Sequence, residues 1–346
     1  QVGKQQYYHG IIHAVSEIHQ AKTSQQRLTL RISPTLSQLK KDLSFNIFHQ
    51  QHAVDIIKGL LLKYRIPCCF NIQGQLPPLH CTVQYNESTL NFIHRLMDQQ
   101  GLYYYFQHTP SSHTMIITDQ ISDSTAVLEL PIHHQIHQDQ PQLLSLTSTS
   151  TISSNTKATS HYRYTAPMSS PSIQTTKHLT SPTPLSHYHY PSPLNTAPET
   201  EHLQQVSTDR YAHSPQRFFA TSNDMRLKIG SRIRHSTLDT AIVITKLTQR
   251  IVDHSELQAS HDKGKQSYQN EFSAIHSDGR KISCPHYTTP KIHGVQTAIL
   301  QSSADNNHTP IANEVKVTFD WAQTASRWLR TSHCLANNHS GHHFLP

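Results

Sequence analysis

The sequence predicts an α+β protein that consists mainly of β-strands. Three observations support this fold class. Short segments of alternating apolar and polar residues recur along the chain, two segments have apolar residues at helical spacing, and turn-forming residues separate them. The chain has 346 residues, a length that favours two or three domains with sizeable hydrophobic cores.

The first predicted elements are two half-buried strands between Tyr7 and Ile32, in YYHGIIHAVSEI and RLTLRI. A helix is predicted from His52 to Tyr64, because apolar residues recur there at helical spacing. Asp55 lies in its first turn, where the helix dipole favours a negative charge. Pro67 ends it.

The segment from Gln84 to Phe106, QYNESTLNFIHRLMDQQGLYYYF, predicts a second helix that stops at Gly101 and continues at once into an aromatic strand. This helix is expected to bury Leu90, Ile93, Leu96 and Met97. LYYYFQH and HTMIITD on either side of TPSS predict a hairpin. We interpret the corner at Gly101 as a structural joint.

The second half of the chain changes in composition. Residues 138–198 are rich in Ser, Thr and Pro, which predicts an extended, loop-rich connection. Strands are predicted in RFFATSN, MRLKIGSRIRH and AIVITKLTQRI, with a turn or bulge at Gly230. A last strand-rich unit begins near Pro290 and contains QTAIL and VKVTFDW.

Charge and cysteine content argue against several classes of protein. The net charge is +7, but Lys and Arg are dispersed, and the densest run, Arg226 to Arg234, alternates with apolar residues as a solvated strand face does. We therefore expect no nucleic-acid partner. No apolar run approaches the length of a membrane span. Five cysteines without a CxxC pair favour a reducing compartment.

Motifs for bond-breaking chemistry do not occur: the sequence lacks a GxSxG elbow, a P-loop, a GxGxxG loop and HExxH. Imidazole is a common zinc ligand, so the histidine clusters could form metal sites, but 29 histidines produce close pairs by chance. The clusters are His133, His134 and His137; His187 and His189; and His339, His342 and His343. The sequence therefore assigns no catalytic, cofactor-binding or metal-binding residue.

Two further groups have a structural and a functional interpretation. Adjacent Cys68 and Cys69 are expected to be one buried and one exposed thiol and not a metal or redox centre. The aromatic run from Tyr103 to Phe106 could stack on sugars or bases, but rings that alternate along a strand more often fill a core and an interface.

The segment QYNESTLNFIHRLMDQQGLYYYF, followed by HTMIITD, resembles the VgrG family of type VI secretion spike proteins, which are similar to the hub and spike proteins of contractile phage tails. Other segments match this family in the same order. They are YYHGIIHAV, the helix IFHQQHAVDIIKGLL that contains Phe48, SHYHYPSP, RFFATSN with LKIGSRI, and YQNEFSAI. KIHGVQTAIL, VKVTFDW and SRWLRTSHCLANNHSG resemble the start of the family's oligonucleotide/oligosaccharide-binding (OB) fold.

The resemblance implies phage tail-hub-like barrel domains, assembled as a homotrimer that caps an inner tube. It implies a non-enzymatic structural role, no cofactor, and a protein that is cytoplasmic until it is assembled and then injected across the bacterial envelope. The implied partners are an Hcp-like inner tube and baseplate proteins, with a PAAR-like tip only if the full-length chain has a needle.

The resemblance also suggests four regions. Residues 1–135 would form a tail-hub-like barrel and α/β region, 136–205 the extended connection, 206–289 a second hub-like β region, and 290–346 the start of the OB-fold domain. The sequence departs from the family pattern at Ala312-Asn313-Glu314 and in YHYPSP, and it begins at Gln1 without methionine. We expect a fragment or a truncated copy.

Two alternatives to the structural role stay open at this stage. One is a histidine-ligated metal-dependent hydrolase or a cell-wall-cleaving enzyme. The other is a basic module that binds nucleic acid or anionic polymers, for which binding would weaken steeply with added salt.

Overall fold

The computed structural model describes the following residues of the chain: 7–19, 26–120, 127–132, 140–150, 156–159, 174–177, 186–189, 199, 201–203, 205–206, 216–236, 238, 240–253, 266–276, 287, 289–301, 314–322 and 329–330. None of the helices among these residues is both long enough and apolar enough to cross a lipid bilayer.

The chain begins with a two-stranded antiparallel ribbon of β1 (Ile11–His19) and β2 (Gln26–Ser33). The two strands predicted between Tyr7 and Ile32 are thereby confirmed. Ile12 pairs with Ile32 and Val15 pairs with Leu30, and a register shift follows Ile12. Since residues opposite each other share a face, these four apolar side chains form one face of the ribbon.

A 3₁₀ helix (Thr35–Lys41), β3 (Leu43–Gln51) and α1 (Ala53–Lys63) follow. The predicted first helix is confirmed, with Ile57 and Leu61 fully buried. The IFHQQ part of the longer family segment is not helical, however. Phe48 lies in β3, which pairs with a later strand, and the extended backbone of His52 fixes the helix start at Ala53.

The next elements are β4 (Cys68–Asn71), β5 (Leu79–Ser88), α2 (Thr89–Gln100), β6 (Tyr103–His108) and β7 (His113–Thr118). Ser88 caps α2 by accepting a hydrogen bond from the N–H of Asn91 at 3.2 Å. Gly101 ends it in the left-handed conformation, with φ +68°. The predicted helix, its glycine end and the hairpin are all confirmed.

These elements enclose the first apolar core. β3 pairs with β5, and a second sheet has the order β4-β7-β6. The buried face of α2 includes Ile93, Leu96 and Met97 as predicted, whereas Leu90 is only partly buried. Phe92 is fully buried and stacks on Phe48. Burial of each such side chain contributes about 1.5–3 kcal/mol.

Five strands follow, three of which form a small sheet: β8 (Val127–Glu129), β9 (Leu143–Ser150), β10 (Thr156–Thr159), β11 (Gln174–Lys177) and β12 (Ser186–His189). The small sheet has the order β11-β10-β12. β9 to β12 lie in the Ser/Thr/Pro-rich region, where composition did not indicate strands. β9 is an edge strand, and its residues from Thr147 to Ser150 are all exposed.

The second core lies on a six-stranded sheet completed by β13 (Gln216–Ser222), β14 (Arg232–Arg234), β15 (Ile242–Asp253) and β16 (Gln266–His276). Its strand order is β8-β14-β15-β16-β13-β9. The strands predicted in RFFATSN and AIVITKLTQRI are confirmed. Its core residues include Phe218, Leu227, Ile233, Ile244 and Phe272.

The strand predicted for MRLKIGSRIRH is wrong over most of its length. Residues 223–231 are not strand and contain turns at 225–226 and 229–230, and only Arg232–Arg234 is strand. The carboxylate of Asp224 accepts a hydrogen bond from the backbone N–H of Arg226 at 2.9 Å, a contact that favours a turn over an extended chain. Gly230 has φ +84°, as expected for the predicted turn.

Four short strands lie near the C-terminal end: β17 (Ala298–Leu300), β18 (Glu314–Val315), β19 (Val317–Phe319) and β20 (Leu329–Arg330). β17 pairs with β19, and β18 pairs with β20. The strands predicted in QTAIL and VKVTFDW are therefore present.

Candidate functional site

The corner between β5 and α2 is built on buried polar side chains. Gln84 is fully buried, and its amide donates to the backbone oxygen of Glu87 and to Oγ1 of Thr89, both at 3.2 Å. It also accepts a hydrogen bond from Asn46 of β3 at 2.9 Å. The glutamine of the QYNES motif therefore fixes the helix start to the neighbouring strand.

Asp42 joins three elements at this corner. Its carboxylate accepts hydrogen bonds from the hydroxyls of Thr89 at the start of α2 and Tyr64 at the end of α1, both at 2.5 Å. The hydrogen bond from Thr89 is the main reason that the pKa of Asp42 is below its usual value. The ionised form is stabilised, so Asp42 acts as a fixed acceptor.

Glu87 and Arg95 form a buried ion pair in the same corner. Arg95 contacts the Glu87 carboxylate at 2.5 Å, and their side chains are 3% and 6% exposed. Arg95 also donates to the backbone oxygen of Val83 at 2.8 Å, and Asn91 donates to Glu87 at 2.7 Å. Because a buried charge is costly unless it is paired, these contacts fix the angle between strand and helix.

An aromatic cluster, here called the aromatic joint, connects the first unit to the C-terminal strands. It consists of Phe45, Tyr85, Phe319 and Trp321. The ring of Trp321 lies 5.7 Å from Phe45, 5.5 Å from Tyr85 and 5.0 Å from Phe319, measured between centroids. The tyrosine of QYNES thus points away from the buried network and contacts the segment that follows β19.

α2 makes a second contact with the approach to the C-terminal strands. The carboxylate of Asp98 accepts a hydrogen bond from the backbone N–H of Tyr287 at 3.2 Å. His94 lies 5.0 Å from the Tyr287 ring and is hydrogen-bonded to the hydroxyl of Tyr104 at 2.9 Å. Burial lowers the pKa of His94 to about 4, so the imidazole is neutral at physiological pH.

The glycine end of α2 is covered by a helical segment whose described residues are 199, 201–203 and 205–206. A Cβ at Gly101 would lie 3.0 Å from a methyl group of Val206. Glu199 accepts a hydrogen bond from the backbone N–H of His80 at 2.6 Å. The corner between β5 and α2, the helix itself and its glycine end are therefore each in contact with a later part of the chain.

Residues 7–10, YYHG, form a lead-in that connects the ribbon to both cores. The Tyr8 hydroxyl donates to the side chain of Gln249 in β15, and its ring lies 5.7 Å from that of His108. A Cβ at Gly10 would lie 2.7 Å from a methyl group of Ile32 and 2.8 Å from the backbone oxygen of Ser33. Glycine is required there because the backbones approach closely.

Three histidines meet at this lead-in. Nδ1 of His9 lies 2.8 Å from Nδ1 of His113, and the backbone N–H of His9 donates to Nδ1 of His108 at 3.2 Å. Nε2 of His113 accepts from the backbone N–H of Thr35 at 3.1 Å and lies 2.8 Å from its hydroxyl oxygen. We call His9, His108 and His113 the histidine cluster.

The apolar face of the ribbon is uncovered. Ile12, Val15, Leu30 and Ile32 are between 49% and 61% exposed. A two-stranded ribbon has little stability alone, and a contiguous exposed apolar face is typical of a protein interface. This face is the candidate interaction surface of the molecule.

The sequence model of the phage tail baseplate hub (GPD) family matches residues 1–255 of this chain. The chain belongs to this hub family. The match includes the ribbon, the corner between β5 and α2, and every strand of the six-stranded sheet except β16.

Full-length comparisons find VgrG proteins, which confirms the resemblance seen in the sequence. The hub chain is 26% identical to the actin cross-linking toxin VgrG1 of Vibrio cholerae, over 99% of this chain and 33% of that protein. It is 21% identical to the type VI secretion system spike protein VgrG1c of Pseudomonas aeruginosa, over 99% of this chain and 50% of that protein. The chain thus spans between a third and a half of these relatives.

A solved Escherichia coli structure has the same fold. That protein is described as a component of the type VI secretion system with structural similarity to the T4 bacteriophage tail proteins gp27 and gp5. The TM-score is 0.65 at 16% identity, and the match covers 93% of the hub chain and 76% of the E. coli chain. The predicted tail-hub-like, mainly β fold is confirmed, and the OB-fold start stays a prediction.

The structure places the sequence-predicted candidates as follows. His133, His134, His137, His339, His342 and His343 lie outside the described residues, and His187 and His189 lie in β12. Within the described part of the chain, no group of three or more His, Cys, Asp or Glu residues is arranged to hold a metal ion.

The other predicted groups lie in sheets of the hub. Cys68 is half-buried against the first core and Cys69 is exposed, and burial raises the pKa of the Cys68 thiol. Tyr103 to Phe106 lie in β6, a strand paired with β7. The histidine cluster was missed because its members come from three distant segments, and no sequence spacing indicates it.

Proposed function

We propose that this chain is a structural hub and spike component of a type VI secretion apparatus, in which identical chains associate through the ribbon face. The single observation that supports this proposal best is the uncovered face of Ile12, Val15, Leu30 and Ile32. In a homotrimer, each ribbon would pack this face on a neighbouring subunit, where burial of the four side chains stabilises the assembly.

A mechanical role agrees with the internal construction of the chain. A hub that transmits the force of contraction must not bend where its units meet. The polar network of Gln84, the ion pair of Glu87 and Arg95, and the aromatic joint all fix such meeting points. These side chains are engaged with one another, and we propose that none takes part in breaking a bond.

The proposed partners and the proposed location of the protein follow from this role. We propose that the trimer caps an Hcp-like inner tube, contacts baseplate proteins, and carries a PAAR-like tip if the full-length chain includes a needle. The protein would be cytoplasmic until it is assembled and would then be injected across the bacterial envelope to deliver an effector.

The division of the chain into units is also proposed. Residues 1–135 would form the first hub region, 206–289 the second, and 290–346 the base of the spike. Residues 136–205 would connect the two hub regions and supply strands to them. The second region uses β8 and β9 from earlier in the chain, so the two regions interlock.

The oligomeric state tests the proposal. Val15→Glu with Leu30→Glu places two carboxylates on each ribbon face, and we expect light scattering after gel filtration to change from a trimer to a monomer. Leu62→Glu is the matched control, because Leu62 is a 75% exposed apolar residue on α1, away from the ribbon. It should leave the trimer intact.

Two outcomes would contradict the proposal. One is a monomeric parent chain at micromolar concentration, and the other is a ribbon variant that stays trimeric. Circular dichroism of each variant distinguishes lost association from lost folding.

A further inference from the structure

The histidine cluster lies where the lead-in meets the hairpin of β6 and β7. His9 belongs to the lead-in, His108 ends β6, and His113 begins β7. His113 is only 4% exposed. The ring centroids of His9 and His113 are 5.1 Å apart, and those of His108 and His113 are 6.0 Å apart.

The hydrogen bonds determine which nitrogen of each ring carries a proton. A backbone N–H can only donate, so Nε2 of His113 must accept from Thr35, and its proton must be on Nδ1. That Nδ1–H donates to His9, whose Nδ1 must therefore accept. Nδ1 of His108 accepts from the His9 backbone. All three rings are neutral in this arrangement.

A proton added to any of these acceptor nitrogens would break a hydrogen bond. On His9 Nδ1 it would face the Nδ1–H of His113, and on His108 it would face the backbone N–H of His9. On Nε2 of His113 it would face the N–H of Thr35. Three cationic rings within about 6 Å would also repel one another.

The surroundings do not compensate for such charge. Tyr8 of the lead-in contacts the His108 ring, and Tyr268 of β16 lies near enough to influence Tyr8. The 3₁₀ helix contributes only Thr35, and β15 reaches the lead-in through uncharged Gln249. Among the described residues, no carboxylate forms a hydrogen bond or an ion pair with the three rings. Burial is the main cause that lowers the pKa of both His108 and His113.

We propose that His9, His108 and His113 form a pH-sensitive latch, which ties the lead-in of the ribbon to the β6–β7 hairpin at neutral pH and releases it in mild acid. Gly10 couples the lead-in to the ribbon, because its backbone lies so close to the end of β2 that a Cβ there would be 2.8 Å from the backbone oxygen of Ser33. Opening the latch would therefore change the position of the ribbon.

The direction of the pH effect follows from proton binding. For His108 and His113, the pKa is lower in the closed state than the unperturbed value of about 6.5. Above this value both states are neutral and the latch is closed. As the pH falls below about 6.5, the open state binds protons that the closed state excludes, so opening becomes more favourable. Each of these two histidines increases the ratio of the open to the closed state by up to about tenfold at pH 5.5.

Residue-resolved amide hydrogen exchange tests the latch in the 346-residue chain. The N–H groups of His9 and Thr35 donate directly to the imidazoles, so their protection factors report its closure. After correction for the intrinsic pH dependence of exchange, we expect protection at both amides to fall by about tenfold or more from pH 7.5 to 5.5. The reference is the amide of Met115, which donates to the backbone oxygen of Pro67.

Two variants distinguish an effect of protonating the histidine cluster from a general effect of acid on the chain. His113→Gln keeps an acceptor for Thr35 but does not titrate, and it should reduce the pH dependence at both amides. His13→Gln removes an exposed imidazole of β1 that contacts Ser33, and it should keep the parent response. The latch proposal is wrong if protection at His9 and Thr35 in the parent chain falls no more than at Met115. This outcome is measured on the parent chain and does not depend on whether a variant folds.

Discussion

Gly101 shows how a single residue determines the geometry of the junction between α2 and β6. Its φ of +68° allows α2 to end and β6 to begin without an intervening loop, and the missing Cβ leaves room for Val206. The positive φ and the absence of a Cβ are both required at this one residue. The sequence revealed the first through the position of glycine after the helix, but not the second, because Val206 comes from a distant segment.

We expect Gly101→Ala to lower the free energy of unfolding by about 1–3 kcal/mol, since it combines an unfavourable backbone conformation with a Cβ placed 3.0 Å from Val206. Chemical denaturation measures this change. Gly59→Ala is a control of opposite sign, because Gly59 lies within α1 and a Cβ there meets nothing within 4 Å.

The control should stabilise the chain by about 0.5–1 kcal/mol, the usual gain when alanine replaces glycine in a helix. Equal effects at the two positions would show that Gly101 is not under the constraint described here.

At the scale of elements, the sequence predicted what local rules determine. α2 could be recognised because its apolar spacing and its glycine end lie within one short segment. The ribbon and the β6–β7 hairpin could be recognised from alternation. Local rules failed at residues 223–231, where the turn contact of Asp224 outweighs an alternating pattern.

The contacts that join elements were not predictable from one sequence. His9 and His113 are separated by 104 positions, and the members of the aromatic joint lie at opposite ends of the chain. Nothing in the spacing of such residues distinguishes them from the other histidines and aromatics. The candidate surfaces of the hub therefore depend on tertiary structure, whereas the absence of a catalytic motif could be read directly from the sequence.

His94 on α2 leads to a prediction for how the folding stability depends on pH. The pKa of His94 is about 4 in the folded chain, against about 6.5 when unfolded. As the pH falls from 6.5 to 4, the unfolded chain binds a proton that the folded chain excludes, so folding stability decreases. We expect this residue to account for a loss on the order of 3 kcal/mol, since one pKa unit is about 1.4 kcal/mol.

Unfolding by denaturant at pH 7.5, 5.5 and 4.5 checks this value in His94→Gln and in the parent chain. The variant should be less stable at pH 7.5, where it loses packing against Tyr104 and Tyr287, but its stability should fall less with acid. His293→Gln, at an exposed position, should follow the parent. Parallel pH profiles for His94→Gln and the parent would refute the assignment.

At the scale of the whole molecule, the hub and the C-terminal strands must move as one body if force is to pass between them. Contacts between them in the described part of the chain include the aromatic joint, the hydrogen bond from Tyr287 to Asp98, and the packing of His94. Trp321 touches every other member of the aromatic joint.

We therefore expect Trp321→Ala to loosen the C-terminal strands from the hub while both apolar cores stay folded. Each aromatic pair contributes about 0.5–1.5 kcal/mol beyond the area it buries. Two of the Trp321 pairs, with Phe45 and Tyr85, join the C-terminal strands to the hub, so their loss weakens the attachment. Small-angle scattering should show a larger radius of gyration and a broader distance distribution. Tyr85→Ala removes one of the two partners on the hub side and should act in the same direction. The double variant should add less than the sum of the single effects because the two residues share a contact. Ile299→Ala shortens an exposed side chain on β17 outside the joint and should leave the scattering curve unchanged. A Trp321→Ala curve that superimposes on the parent would mean that other contacts hold the strands in place.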